Sequence, residues 1–232
     1  MQPIELTAQD RVLAVVAHPD DMEYGASAAV AKWVDDGVEV HYLLLTHGEH
    51  GIAGAKPEDT AHTRAQEQRE ACRQVGVSEL NILDFPDGNL VYGLEMRKAI
   101  AREIRKVKPT VVLTQNFDVV APWGLNQADH RATGLAAVDA ARDAGNEFVF
   151  PDAGERHQAK LLLIANPSEP DRGVIIERKH VDQGIASLES HKLYLEALPD
   201  HPSGEDLVGG NARAGGEAMG TDYAIMFKGY DL

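Results

Sequence analysis

Two short stretches of this chain place metal-ligating side chains where a strand should give way to a helix. The first is Ala17-His18-Pro19-Asp20-Asp21, directly after the apolar run Arg11 to Ala17. Imidazole nitrogen and carboxylate oxygen are both zinc ligands at about 2 Å. His18 and Asp21, three apart across a turn fixed by Pro19, can converge on one ion, with Asp20 between them and free to act as a base. A plainer reading stays open, in which His18 hydrogen-bonds at a helix start and Asp20 or Asp21 is its N-cap. The second stretch is Asn126-Gln127-Ala128-Asp129-His130-Arg131, which again opens a helix after a strand. His130 would complete a three-ligand site and leave the open position that catalytic zinc keeps for water. Asp129 would orient a neighbouring group. Two histidines and one carboxylate also suit iron(II).

Further motifs follow in order: Thr46-His47-Gly48-Glu49; Arg64, Glu67 and Ala71; Phe85-Pro86-Asp87-Gly88; and Asp129-His130-Arg131-Ala132-Thr133-Gly134. With the first turn they span about residues 12 to 134, with weaker agreement near His180 to His191. In this the sequence resembles the LmbE/PIG-L family of zinc-dependent N-acetylglucosaminyl deacetylases. The resemblance implies that His18, Asp21 and His130 bind the metal, that Asp20 is the general base, and that Arg64 and Asp87 reach the substrate's hydroxyl groups. Arg64 reads equally well as an exposed helix arginine paired with Glu67, and Asp87 in Pro-Asp-Gly as a turn residue. The family commonly reads His-Pro-Asp-His where this chain has Gln127-Ala128-Asp129-His130. A glutamine amide can donate a hydrogen bond to an oxyanion but cannot exchange a proton near neutral pH. The expected catalytic residues are therefore Asp20, Gln127 and Asp129. His47 is a substitute proton carrier by position, although an ordinary loop histidine is the simpler reading.

The expected activity is zinc-dependent amide hydrolysis, removing an acetyl group from an N-acetylated amino sugar or sugar-containing small molecule. An amidase of a thiol-sugar conjugate or a natural-product tailoring enzyme would use the same site. A metal-dependent hydratase and a non-catalytic sugar-binding module are rivals of other classes.

These residues need a scaffold that brings strand ends together. Short β-branched runs alternate with helical patterns, the signature of a parallel sheet with crossover helices. Strands are expected at 11–17, 38–46, 80–85, 110–114 and 160–165. Ala26, Ala29, Val30, Trp33 and Val34 mark one face of a helix closed by Gly37. Further helices are expected at 63–75, 96–107 and 129–144. The order implies a single-domain α/β Rossmann-like sandwich over residues 1–232, with a mostly parallel sheet and helices on both faces. Residues 203–220, rich in Gly and Ala, read as a flexible loop or lid, and Tyr223 to Phe227 as an edge strand.

Composition narrows the partners. A net charge of −15 argues against nonspecific nucleic-acid binding and anionic membranes. The single cysteine, Cys72, excludes an internal disulfide. It reads as packing rather than nucleophile. With no visible signal peptide, a cytoplasmic protein acting on a small molecule is expected. A homo-oligomer stays open.

Overall fold

The computed structural model describes residues 1–232. The continuous apolar runs lie side by side at the centre of one sheet. β1 (Gln2–Pro3) is short, and β2 (Arg11–Val16) is the first central strand. It pairs in parallel with β3 (Glu39–Leu44) on one side and β5 (Val111–Gln115) on the other. β4 (Glu79–Ile82) extends the sheet beyond β3, and β8 (Leu161–Ala165) extends it beyond β5, both parallel. Successive side chains of β2 serve opposite cores, as the pleat demands. Val12, Ala14 and Val16 join Trp33, Tyr42 and Phe227 on one face. Leu13, Val15 and Ala17 join Ile100, Ile104, Ala136 and Ala140 on the other. A strand covered on both faces needs no polar alternation, which is why these runs read so plainly.

The first face is covered by α2 (Ser27–Asp35), α3 (Pro57–Gln74) and α6 (Arg178–Leu188), with α1 (Asp21–Gly25) leading into α2. The second is covered by α4 (Leu94–Val107) and α5 (Ala128–Asp143), which pack against each other. A small hairpin, β6 (Val120–Ala121) and β7 (Gly124–Leu125), precedes α5. The helix expected at 63–75 begins earlier, because Pro57 takes the first helical position where its missing N–H costs nothing. No helix is long and apolar enough to cross a membrane.

The C-terminal third departs from expectation. β9 (Arg172–Ile175), unforeseen in the sequence, pairs with β1 in parallel. Tyr223 to Phe227 is not an edge strand: β10 (Ala224–Asp231) lies between β9 and β8, antiparallel to both. Residues 203–220 are largely helical rather than a loop. A π-helical turn (Glu205–Gly209) runs straight into α8 (Gly210–Met219), which follows α7 (Lys192–Glu196). The small residues there serve close packing. A Cβ on Gly215 would lie 2.1 Å from the carbonyl oxygen of Ala224, and one on Gly216 2.4 Å from that of Asp222. Only glycine lets α8 lie this close to the chain at the start of β10.

The chain runs β2, β3, β4 outward in one direction, then returns to place β5 and β8 on the other side of β2. The two connections diverge at the carboxyl ends of β2 and β5, and such a switch point opens the crevice where doubly wound sheets bind ligands. The segments leaving those two strands carry His18 to Asp21 and Asn126 to His130.

Candidate metal centre

The turn after β2 is tied down atom by atom. The Ala17 N–H donates to Gln115 Oε1 at 3.2 Å, and the His18 N–H to Asp21 Oδ2 at 2.8 Å. Asp20 takes the left-handed conformation, with φ 86° and ψ −20°. For a residue other than glycine this costs on the order of 1 kcal/mol and persists only when surroundings enforce it. Asp20 occupies the N-cap position of α1 but makes no side-chain cap bond, which removes the plainer reading of that residue. Its carboxylate instead accepts from Arg64 Nη2 at 2.9 Å, both side chains being buried.

His130, in the first turn of α5, brings Nε2 to 3.0 Å from Asp21 Oδ1. His18 Nδ1 lies 3.7 Å from Asp21 Oδ2, and the two imidazole centroids are 5.4 Å apart. One ligand atom from each of His18, Asp21 and His130 falls within 4.8 Å of the others. The structure thus brings His130 to two side chains that lie more than a hundred residues before it in the sequence.

The tautomers follow from the partners on the far side of each ring. His18 Nε2 faces Asp87 Oδ1 at 3.1 Å and Asp129 Oδ2 at 3.3 Å, and carboxylates only accept. The proton is therefore on Nε2, which leaves Nδ1 bare. Asn126 Nδ2 donates to the Asn116 carbonyl at 2.9 Å, so Asn126 Oδ1 is the atom that meets His130 Nδ1, also at 2.9 Å. His130 then carries its proton on Nδ1 and points a bare Nε2 at Asp21. That nitrogen is buried and makes no hydrogen bond, despite its short distance to a carboxylate oxygen. Two acceptors facing each other out of water call for a cation between them, and the donor set suits zinc.

The protonation energetics agree. Burial opposes charge on His18, but its bonds to Asp129, Asp21 and Asp87 outweigh this and raise its pKa well above the ordinary value. Burial likewise opposes charge on His130, and Asp21 reverses that too. Burial pushes the Asp21 carboxyl upward, yet the two histidines hold it far below the usual range. The cluster draws in positive charge, and protons take the place a divalent cation would fill. Asp20 differs: burial lifts it to about 6 against the pull of Arg64.

Asp87 and Asp129 could form a second ligand group with His18 Nε2. Their oxygens are already engaged. Asp129 accepts the N–H groups of Gly88 at 2.7 Å and Leu90 at 3.1 Å, and Asp87 that of His50 at 2.8 Å. They act as holders of His18. Asp129→Asn offers one acceptor oxygen where three N–H groups need two, and outer partners of this kind are worth about 10- to 100-fold in metal affinity. Chelator competition is expected to show a loss of that size.

Arg64 is not the exposed helix arginine of the plainer reading, whereas Asp87 does lie in a turn. Arg64 is 3% exposed and does not pair with Glu67. Its Nη2 donates to Pro19 O and Asp20, and its Nη1 to Gly48 O. These bonds turn it toward the turn after β2. Gly48, at φ +64°, is needed here, because a Cβ would lie 2.2 Å from Arg64 Nη1. Asp87 is equally committed, to His18 and His50. Gln127 is the N-cap residue of α5, exposed, with its side chain in none of these contacts. His47 lies outside the cluster, paired with the exposed Asp84 at 3.0 Å. Cys72 is buried, which pushes its thiol up to about 12 and leaves it unreactive.

The sequence reading missed Asn126, Gln68 and Tyr194. Asn126 stands four residues before His130, a spacing that could have revealed it. Gln68 and Tyr194 carry no local signal: Gln68 Oε1 accepts the Asp20 N–H at 2.9 Å, and the Tyr194 ring lies 4.0 Å from the Arg64 guanidinium carbon.

Residues 13–141 match the family described as PIG-L, GlcNAc-PI de-N-acetylase. A diacetylchitobiose deacetylase of Thermococcus kodakarensis is 34% identical over 58% of this chain and 50% of its own length. The chain thus spans about half of that relative. A mycothiol S-conjugate amidase of Streptomyces coelicolor is 31% identical over 78% of this chain and 69% of its own. In three dimensions, N,N'-diacetylchitobiose deacetylase from Pyrococcus horikoshii superposes with a TM-score of 0.84 over 95% of this chain and 84% of that one, at 24% identity. The turn after β2, the histidine at the start of α5 and the sheet that joins them place this chain in the PIG-L family of de-N-acetylases.

Proposed function

We propose that the protein is a zinc-dependent hydrolase that removes the acetyl group from an N-acetylated amino sugar or a small molecule containing one. The observation that carries this is Asp20, a buried carboxylate held by Arg64 immediately beside a cluster of two bare imidazole nitrogens and one carboxylate. Pure sugar binding has no use for a base beside an open metal site.

A divalent cation held by His18, Asp21 and His130 would supply Lewis acidity toward the amide carbonyl and make a water acidic enough to deprotonate near pH 7. Asp20 takes the proton of the attacking water at its carboxylate and later delivers it to the departing amine nitrogen. A pKa raised toward neutrality suits a group that must do both. Arg64 fixes the direction of that carboxylate, while Asp129 and Asn126 fix the two rings. Asp87 acts with Asp129 on His18. Gln127, exposed at the start of α5, would donate its amide N–H to the oxyanion once substrate is bound. With glutamine there, both proton transfers fall to Asp20.

The match to a mycothiol S-conjugate amidase favours a second reading, cleavage of a larger thiol-sugar conjugate at the same site. The deciding experiment pairs metal content with the release of acetate and free amine from N-acetylglucosamine, N,N'-diacetylchitobiose and a thiol-sugar conjugate. Stoichiometric acetate and amine from an acetylated sugar supports deacetylation, and amine without acetate from the conjugate supports the amidase. Turnover of a double bond with no amine released would identify a hydratase instead. The residue make-up points to work in the cytoplasm on a small molecule rather than on nucleic acid.

A further inference from the structure

We propose that Gln68 is a positioning residue that sets the backbone of the catalytic turn through a clamp with two ends. The inference rests on Asp20 being the base, and it adds how the fold holds that base in place. Asp20 is in the left-handed region at φ 86°, a conformation its own side chain does not stabilise with a cap bond. Something outside the turn must enforce it. Arg64 holds the carboxylate and, through Pro19 O at 2.7 Å, the carbonyl side of the Pro19–Asp20 peptide, which leaves the N–H side to be held from elsewhere.

The backbone amide is the second handle. The Asp20 N–H donates to Gln68 Oε1 at 2.9 Å, across 48 residues of sequence, and Gln68 is 1% exposed. An amide has two different ends, and here both are occupied. Gln68 Nε2 donates to Glu23 Oε1 at 3.1 Å, which fixes which end faces Asp20. Glu23 is itself buried at 1% exposure, and the same oxygen accepts from Ser187 Oγ at 3.2 Å. Ser187 also lies 2.9 Å from the Ala71 carbonyl, one helical turn beyond Gln68. The route runs from α6 and α3 through Glu23 and Gln68 to the peptide nitrogen of Asp20. It bypasses the carboxylate and the metal ligands. Gln68 reaches nothing that reacts, so its contribution is geometric.

An apolar side chain of similar length breaks the clamp and leaves Arg64, the three metal ligands and the helix unchanged. In Gln68→Met, metal content and KM for N,N'-diacetylchitobiose are expected to stay within about twofold of wild type while kcat falls roughly 10- to 100-fold, the scale of a sub-ångström to 1 Å misplacement. Hydrogen exchange supplies a readout independent of turnover. The Asp20 amide is expected to exchange at least about tenfold faster in the variant, with the amides of β2 unchanged. Gln68→Glu keeps an acceptor oxygen for that N–H, and its kcat is expected to lie between those of Gln68→Met and wild type. A kcat within twofold of wild type for Gln68→Met, an unchanged Asp20 exchange rate, or a fall in kcat matched by lost metal overturns the proposal. If Asp20→Asn is fully active, the base assignment fails, whereas the exchange rate still reports on the clamp.

Discussion

Asp20→Asn is expected to keep its metal and to lose on the order of 10²- to 10⁴-fold in kcat, the range that one general acid–base group supplies. The substitution is nearly isosteric, so the turn can keep its shape, and none of the three proposed metal ligands is touched. What disappears is the ability to accept and return a proton. Two further measurements separate this from a folding defect. Burial raises the Asp20 carboxyl from 3.8 to about 6, so the native state holds its proton more tightly than the unfolded chain does. By linkage, Asp20 costs the metal-free protein stability as pH rises from about 4 to about 6, and that cost persists above. The metal-free Asn variant should therefore melt no lower than wild type at pH 7 to 8, even though Arg64 has lost a buried counter-charge. A marked drop in its melting temperature would mean that Arg64 needs the carboxylate for stability. The second measurement is the pH profile. Wild-type kcat/KM should fall on the acid side as Asp20 takes a proton, at or below about pH 6, because a nearby cation lowers the carboxyl further. At saturating zinc, where metal loss at low pH does not intervene, residual activity in Asp20→Asn should lack that limb.

How much of this could be read from the chain alone depended on whether the information was local. The central parallel strands were legible because burial on both faces writes itself into unbroken runs such as Arg11 to Val16. The ligand turn was legible for a related reason. His18, Asp20 and Asp21 fall within four residues, and the end of a parallel strand is where the fold does chemistry. α8 was not legible. Its glycines look like a flexible tail in sequence, and their purpose appears only when the chain at the start of β10, packed beneath them, is known. β10 was misplaced because insertion between β9 and β8 is a property of the sheet and not of its own residues. Arg64 shows the same limit. Its helix spacing suggested Glu67, but Glu67 accepts the Leu193 N–H at 2.6 Å, and Arg64 turns inward through the gap that Gly48 leaves. Asp87 does lie in the turn that Pro-Asp-Gly suggested, and what the sequence hides is that the same carboxylate meets His18 and accepts the His50 N–H.

His130→Ala tests the other half of the site, since that residue alone among the three proposed metal ligands comes from α5. The side chain lies in the first turn of a helix that buries Ala132, Ala136, Ala137 and Ala140 against the sheet. Alanine is the strongest helix former and leaves that packing intact, so the fold is expected to survive. The metal is not. Removing one of three protein ligands leaves a histidine and a carboxylate, and purified His130→Ala is expected to hold less than about a tenth of an equivalent, since affinity depends on ligand count and geometry. Hydrolysis should fall with it. Added zinc should raise the melting temperature of wild type, because a ligand that binds only the folded state stabilises it by mass action, and it should leave the variant unmoved. The pH dependence carries the sign. Both histidines are raised, and the cluster holds protons where a cation would sit. Metal uptake must therefore release protons, and wild-type affinity must fall as pH drops. A variant that kept a full equivalent of zinc and the same proton release would show that the cation is held elsewhere, and the imidazole aimed at Asp21 would then need another explanation.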